Sequence, residues 1–295
     1  MKTICLYFEI HQITHLKRYR FFDIGTDHYY YDDYENEQRI AEVAEKSYMP
    51  ALNALLDMIH RHGQQFKVAF SLSGVCVEQL EMHAPQVLSK LQELNETGCV
   101  EFLAEPYSHG LSSLVNVDSF AAEVKRQCAL MYEYFGKQPQ VLRNSSLIYN
   151  DEIGYQAAKM GFKGMITEGA KHVLGWKSPH YLYNNPLAPN LKLLLRDIAL
   201  SDDISLRFND HSWAGYPLFA DHFIDEIASL PEREEVINIF MELSALGMAQ
   251  PLESNILEFF KPYPIARQHA TSHLPPPLSS AKIVALSTTS WCPTP

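Results

Sequence analysis

Residues 141–150 read Val-Leu-Arg-Asn-Ser-Ser-Leu-Ile-Tyr-Asn. An apolar pair runs into four polar residues, Arg143, Asn144, Ser145 and Ser146, the pattern of a buried strand that opens into a polar turn. In an α/β protein the chemistry usually stands in such turns, because the segments behind the carboxyl ends of parallel strands converge on one side of the sheet. Whether this pattern recurs decides the fold.

It recurs along most of the chain. Residues 3–8 form a short apolar run followed by Glu9, His11, Gln12 and His15. A second run spans 66–72, and a third, 100–104, is followed by Glu105, Tyr107, Ser108 and His109. Runs at 164–167, 191–195, 204–208 and 236–241 lead into Glu168, Arg196 with Asp197, Asn209 with Asp210, and Glu242. Helical spacing fills the intervals: 36–62, which Pro50 should break into two helices, then 74–80, 84–96, 117–134 with Asp118 or Ser119 as cap, 152–160 and 219–230. Residues 17–35 are dense in Tyr, Asp and Arg without helical period and read as a long aromatic loop over one face. The alternation predicts an α/β fold, a parallel β/α barrel with its site at the C-terminal mouth. A doubly wound open sheet is the competing architecture, but it would place ligands at one switch point, and here five or six strand ends carry polar groups.

Composition sets outer bounds. A chain of 295 residues with 46% hydrophobic content can build a substantial core. Its 24 basic and 35 acidic residues, net charge −11, argue against nucleic acid as a partner. The nearest approach to a basic stripe, Lys17, Arg18 and Arg20, reads as a solvated loop. The five cysteines, Cys5, Cys76, Cys99, Cys128 and Cys292, show no CxxC spacing and suggest free thiols in a reducing, cytoplasmic setting. The start meets Glu9 and His11 before an apolar segment of signal-peptide length develops, and no window suggests a membrane span. Residues 1–261 are expected to form the barrel domain. Residues 262–295, rich in Pro, Ser and Thr, are expected to be an irregular tail, or, as a sharper alternative, a tail translated out of frame.

The candidate chemistry is of two kinds. His11, His15 and His109 raise a metal reading, yet 13 histidines scatter through the chain without HExxH, paired HxH or CxxC. Neither metal nor cofactor is therefore expected, and the histidines read as hydrogen-bonding or structural groups. Carboxylates are more informative: Glu9, Glu105, Glu168 and Glu242 stand behind different candidate strands, and a barrel would aim several into one mouth. Glycoside hydrolysis uses such a pair, one protonated by its surroundings and one ionised. A salt-bridged surface role remains the plainer reading for each taken singly. Tyr107, Trp213 and the tyrosines of the early loop can stack on sugar rings or simply pack.

In this frame the chain resembles glycoside hydrolase family 57. His11-Gln12 is similar to the family's His-Gln-Pro, with Ile13 in place of Pro. The segment from Gly98 to His109 is similar to Gly-x-x-Glu-x-x-x-Glu-Thr-Tyr-x-His, with Pro106 replacing Thr. Leu142-Arg143-Asn144-Ser145-Ser146-Leu147-Ile148-Tyr149 resembles Phe-Arg-Asn-Thr-Glu-Leu-Ile-Tyr, whose Glu is the nucleophile, so Ser146 stands at that position. Phe240-Met241-Glu242-Leu243-Ser244 resembles Phe-Met-Asp-Tyr-Glu, whose Asp is the acid/base, so Glu242 replaces it. The resemblance implies an incomplete, seven-stranded parallel β/α barrel of the glycoside hydrolase/deacetylase type, which makes one of the eight candidate strands surplus. It also implies an α-glucan or maltooligosaccharide partner, with His11, Glu105, Tyr107, His109, Arg143, Asn144 and Trp213 as binding residues. Hydrolysis is expected to be weak or absent because Ser146 replaces the nucleophile. Two alternatives stand beside this: an active glycosidase with a relocated carboxylate, Glu105 or Glu168, and a metal-dependent deacetylase-like barrel. Oligomeric state is left open. For the tail, gene sequences from independent clones that read in frame to Pro295 would remove the frameshift alternative.

Overall fold

The computed structural model of the chain describes residues 2–26 and 28–261. The proposed tail, 262–295, and Cys292 lie outside the described residues. Among them are eight strands, β1 (Thr3–Ile10), β2 (Val68–Leu72), β3 (Val100–Leu103), β4 (Val141–Arg143), β5 (Gly164–Glu168), β6 (Tyr183–Asn184), β7 (Lys192–Arg196) and β8 (Val236–Glu242). Seven run parallel in the order β3-β2-β1-β8-β7-β5-β4, and the two-residue β6 pairs antiparallel with β7. The two ends of this sheet meet through a single parallel bridge, Ala104 to Leu142. Its hydrogen bonds are Ala104 N–H to Val141 O (2.9 Å) and Arg143 N–H to Ala104 O (2.8 Å). The sheet thus closes almost completely into the seven-stranded β/α barrel that the family resemblance implies.

The helices are α1 (Asp33–Val43), α2 (Met49–His62), α3 (Gly74–His83), α4 (Pro85–Glu96), α5 (Ser112–Val115), α6 (Val117–Phe135), α7 (Asp151–Lys159), α8 (Lys171–Leu174), α9 (Ile198–Ser205), α10 (Ala220–Ser229) and α11 (Ile256–Phe260). No helix among the described residues is long and apolar enough to cross a membrane.

Strand alternation sorts every residue to one of two sides. Leu6, Phe8, Ile10, Phe70, Leu72, Ile237 and Ile239 face outward into a core shared with α2, α3 and α4. Leu142, Met165, Leu193 and Leu195 pack outward against Phe120, Val124 and Ile153. The intervening residues, Tyr7, Ala69, Leu103, Val141, Ile166, Leu194 and Phe240, fill the barrel. Continued by two residues, the inward rows of β1, β2, β4, β5, β7 and β8 end in Glu9, Ser71, Arg143, Glu168, Arg196 and Glu242. The same two-residue period that builds the core therefore delivers the polar groups of the mouth.

The surplus strand is 204–208. Asp197 accepts a hydrogen bond from Leu200 N–H (2.8 Å) and caps α9, which carries the chain through Ile204. Leu200 and Ile204, four apart, bury one helix face, so an alternating run of apolar residues here belongs to a helix. At Pro50 the chain does not break: a π turn over Ala44–Tyr48 joins α1 to α2 directly before Pro50, whose ring supplies no backbone N–H, and the helix carries on past it. The cap of α6 is Asn116, which accepts from Ser119 N–H (2.9 Å), rather than Asp118 or Ser119.

β7 and β8 pair only at Arg196 and Asn238. Beside that bridge lies His180, buried, its Nε2 2.5 Å from Asp197 Oδ2 and its Nδ1 2.6 Å from Glu234 Oε2, while its carbonyl accepts from Val236 N–H (3.2 Å). Burial opposes protonation of the ring, but the hydrogen bonds and charges of Asp197 and Glu234 outweigh it and raise its pKa above the ordinary 6.5. A raised folded-state pKa stabilises the fold fully below the unfolded value and loses that contribution as pH climbs through the folded one. The urea midpoint should fall as pH is raised above about 6.5. His180→Leu should cost about 3–5 kcal/mol, because two buried carboxylates lose their partner, and should abolish that pH dependence. A flat wild-type profile would refute the assignment.

Candidate active site

Arg143 heads the largest fully buried side chains and is 1% exposed. From β4 it reaches across the barrel to β1, placing Nη2 2.6 Å from Glu9 Oε2 and Nη1 3.0 Å from Glu105 Oε2. Nη1 also lies 3.1 Å from His109 Nδ1, so the guanidinium donates and that ring nitrogen accepts. Phe240 lies beneath the guanidinium, 5.3 Å from its ring centre. Glu105 further accepts from the Ser71 hydroxyl through a short hydrogen bond. Gln127 of α6 donates from Nε2 to Leu72 O (2.9 Å) and Leu103 O (3.2 Å) and accepts from Glu105 N–H (3.3 Å). It fixes the backbone from which Glu105 projects.

The two carboxylates on Arg143 are pushed apart. Glu9 is raised by burial, then by the charges of Glu105 and Glu242, and Arg143 offsets only part of this. Burial would also lift Glu105, but the Arg143 charge and the Ser71 hydroxyl work against it, and its pKa lies below the usual carboxylate range. Glu9 is thus the more readily protonated and Glu105 the anion, a division typical of sites that manage protons.

His11 and His109 stack, their ring centres 4.1 Å apart and their planes 16° apart. His11 Nδ1 meets Ser73 Oγ at 2.7 Å. Burial, then the neighbouring His109, lowers the His11 pKa to about 4, so this ring is neutral at neutral pH. With their Nδ1 atoms engaged by Ser73 and Arg143, the rings lie face to face and do not converge on a common point. Among the described residues no three His, Cys, Asp or Glu side chains could together hold a metal ion.

The turn after β4 is unusual. Ser146 (φ 50°) and Leu147 (φ 55°) are consecutive residues in the left-handed region, each at a cost of about 1–3 kcal/mol. The strain is held by Leu147, buried in the barrel core, and by Asn144, whose Nδ2 donates to Ile148 O (2.9 Å) and Ser113 Oγ (2.9 Å). As a result Ser146 is exposed while Asn144 and Ser145 are buried beneath it. Ser146 lines a cavity of about 420 Å³ together with Glu9, Arg143, Glu168, Arg196, Phe240 and Glu242. Glu9 and Glu242 share one register position on β1 and β8. Glu242 accepts from Ser244 Oγ (2.8 Å). Glu168 pairs with Arg196 (3.3 Å), whose other nitrogens meet Asp202 (2.5 Å) and Phe240 O (2.8 Å). Four buried polar atoms around this mouth, Glu105 Oε1, Arg143 Nε, Asn144 Oδ1 and Ser145 Oγ, have no hydrogen-bond partner among the described residues, an unusual concentration in one place.

Not every residue expected at the site is brought to it. Ser146, Arg143 and Glu242 line the cavity, and Glu105, His11 and His109 support it from below and beside. Tyr107 is buried elsewhere: its hydroxyl donates to Glu78, Arg126 covers its ring, and the ring packs so tightly on Gly74 that a Cβ there would lie 2.2 Å away. Trp213 is not among the residues that line the cavity, and its ring lies under the Arg207 guanidinium (5.5 Å). Sequence reading missed Gln127, Ser71 and Arg143's bond to Glu9. The signal for Gln127 was a lone amide among Phe120, Val124 and Met131 on the buried face of α6.

Fold and mouth together define a β/α-barrel protein whose carboxylates and guanidinium groups converge at the C-terminal strand ends. The chain belongs to glycosyl hydrolase family 57, whose sequence profile matches residues 5–274. It is 40% identical over 237 residues, 80% of its length, to a Methanocaldococcus jannaschii protein named "Putative alpha-amylase", and spans about half (50%) of that curated relative. Its fold is similar to that of 4-alpha-glucanotransferase from Thermococcus litoralis (TM-score 0.67, 13% identity, 89% of this chain and 38% of that one). It is likewise similar to a GH57-type branching enzyme from Pyrococcus horikoshii (TM-score 0.65, 12% identity, 93% and 69%).

Arg143→Met should destabilise the protein by about 3–5 kcal/mol, since Glu9 and Glu105 would be left buried without their cation. Adding Glu9→Gln and Glu105→Gln should recover part of the loss in urea titrations. A fully additive triple variant would contradict the pairing.

Proposed function

We propose that the mouth binds an α-glucan or maltooligosaccharide with little or no hydrolysis. The observation behind this reading is Ser146 on the cavity wall, at the position where family resemblance expects the nucleophilic carboxylate. A retaining glycosidase forms a glycosyl ester on a carboxylate about 5 Å from its acid. A serine hydroxyl is un-ionised without a dedicated base, and no histidine stands among the described residues that line the cavity with Ser146. The ether it would form is also a poor leaving group, and loss of a covalent nucleophile costs several orders of magnitude in rate. Glu242 keeps a carboxyl at the acid/base position, one methylene longer than the family's Asp, which shifts the acid by about 1 Å and impairs positioning. Binding is supported by the cavity wall itself, where the carboxylates of Glu168 and Glu242, the Arg196 guanidinium and the Ser146 and Ser244 hydroxyls offer hydrogen bonds suited to sugar hydroxyls.

A second reading is favoured by one observation. Of the two carboxylates that could replace the nucleophile, Glu105 is wholly buried under Arg143, whereas Glu168 lines the same cavity as Ser146 and Glu242. An active enzyme would therefore use Glu168. A metal-dependent deacetylase has less support, because the stacked imidazoles do not form a chelating set.

Calorimetry and product analysis with maltoheptaose, and separately with an acetylated glycan with and without chelator, distinguish these readings. Heat of binding with product near background is expected, and Ser146→Glu should raise hydrolysis at least 100-fold. Wild-type hydrolysis abolished by Glu168→Gln would instead establish the second reading, and chelator-sensitive deacetylation the third.

A further inference from the structure

Behind β1 the chain leaves the mouth through His11 and Gln12 and enters the aromatic loop, which the cleft does not use. The loop has a fixed frame. Leu16 and Tyr31 form an antiparallel bridge, with Lys17 N–H bonded to Tyr30 O (2.8 Å) and Asp32 N–H to His15 O (3.0 Å). The Asn36 side chain clasps His15 from both sides (2.6 and 3.2 Å), and Gln79 anchors Gln12 O (3.0 Å). On this frame a 3₁₀ turn, closed by Asp23 on Arg20 N–H (2.8 Å), displays Phe21 and Phe22, 81% and 86% exposed, edge to face at 5.5 Å. Tyr34, at the start of α1 where the loop ends, is 69% exposed, and the Tyr19 and Tyr30 rings lie 5.0 Å apart. Protein surfaces rarely keep so many large rings exposed together unless a ligand covers them.

We propose that this loop is a second carbohydrate surface, on which a long α-glucan chain lies as it enters the cleft. The inference rests on the α-glucan reading of the mouth. A pyranose has an apolar C–H face and a rim of hydroxyls, and rigid aromatic side chains with polar neighbours match both. Residues 13–34 carry three basic and four acidic side chains, so the loop lacks the one-signed field that an anionic polymer or anionic lipid surface would need. The loop leaves the C-terminal end of β1, the strand whose Glu9 lines the cavity, so it starts at the same end of the barrel as the mouth, and the proposal lays one extended ligand across both. Joining two weak sites on one ligand raises apparent affinity through effective concentration, so the signature is a dependence on glucan length.

The test uses the full chain with the triple variant Phe21→Ser, Phe22→Ser, Tyr34→Ser. Retention on soluble starch in affinity electrophoresis and heat of binding to maltotriose are compared, with circular dichroism to verify folding. The expected result is at least a ten-fold loss of starch affinity with maltotriose binding unchanged. If the triple variant misfolds, Phe22→Ser alone should still lower starch affinity several-fold. Unchanged starch retention, with maltotriose still bound, overturns the loop proposal and leaves the mouth reading intact. Loop-dependent starch retention without maltotriose binding sustains the loop and overturns the mouth reading. Sedimentation that shows a wild-type dimer lost in the variant, or wild-type binding to phosphatidylserine vesicles, with starch retention unaffected, assigns the rings to another partner and refutes the proposal.

Discussion

The guanidinium of Arg143, held between Glu9 and Glu105, is the interaction on which the mouth depends. It joins β4 to β1 and to the segment behind β3, and it does so at the place where the sheet closes. The Arg143 amide makes one of the two hydrogen bonds of the closing bridge, while its side chain organises the charged groups above the core. Such a buried network is costly to assemble and more costly to break, since removing any member leaves a desolvated charge. Its value is geometric: it fixes three strand ends at once. The same residue lowers the proton affinity of both carboxylates, yet burial still leaves Glu9 raised while Glu105 is lowered.

Above that floor the turn at Ser146 and Leu147 turns one side chain outward and one inward. A left-handed pair with Cβ atoms persists because Leu147 is buried and Asn144 bonds across the turn. This backbone presents residue 146 to the cavity whichever side chain stands there. In this chain that position puts a hydroxyl on the cavity wall that Glu168 and Glu242 also line. The proposed division between binding and catalysis rests on that one side chain.

Much of the fold was legible because the barrel obeys a strict two-residue period. Strands β1 to β5, β7 and β8 coincide with apolar runs, and the polar residues behind them mark the mouth. The surplus run at 204–208 misled because five residues cannot separate strand alternation from one face of a short helix. The cap at Asp197, seven residues earlier, decided it. Pro50 misled because a π turn before it absorbs the missing donor. Of the site, the residue types and their strand-end positions were readable. The burial of Tyr107 under Arg126, the clasp of Gln127 on three backbone groups and the His180 clamp between β7 and β8 were not, because each joins residues remote in sequence.

By itself the sequence determined which residues stand at strand ends and which chemical groups they bring, since period and turn composition are local properties. It also determined that residue 146 is a serine. Only the tertiary structure decided which of those groups meet. Ring closure brings Arg143 to Glu9 across the barrel and sinks Glu105 beneath it, while Glu168 and Glu242 remain on the cavity wall with Ser146. The reason is physical. Alternation sets whether a side chain points inward, but the depth and neighbours of an inward group depend on strand order and stagger, which exist only once the sheet has closed.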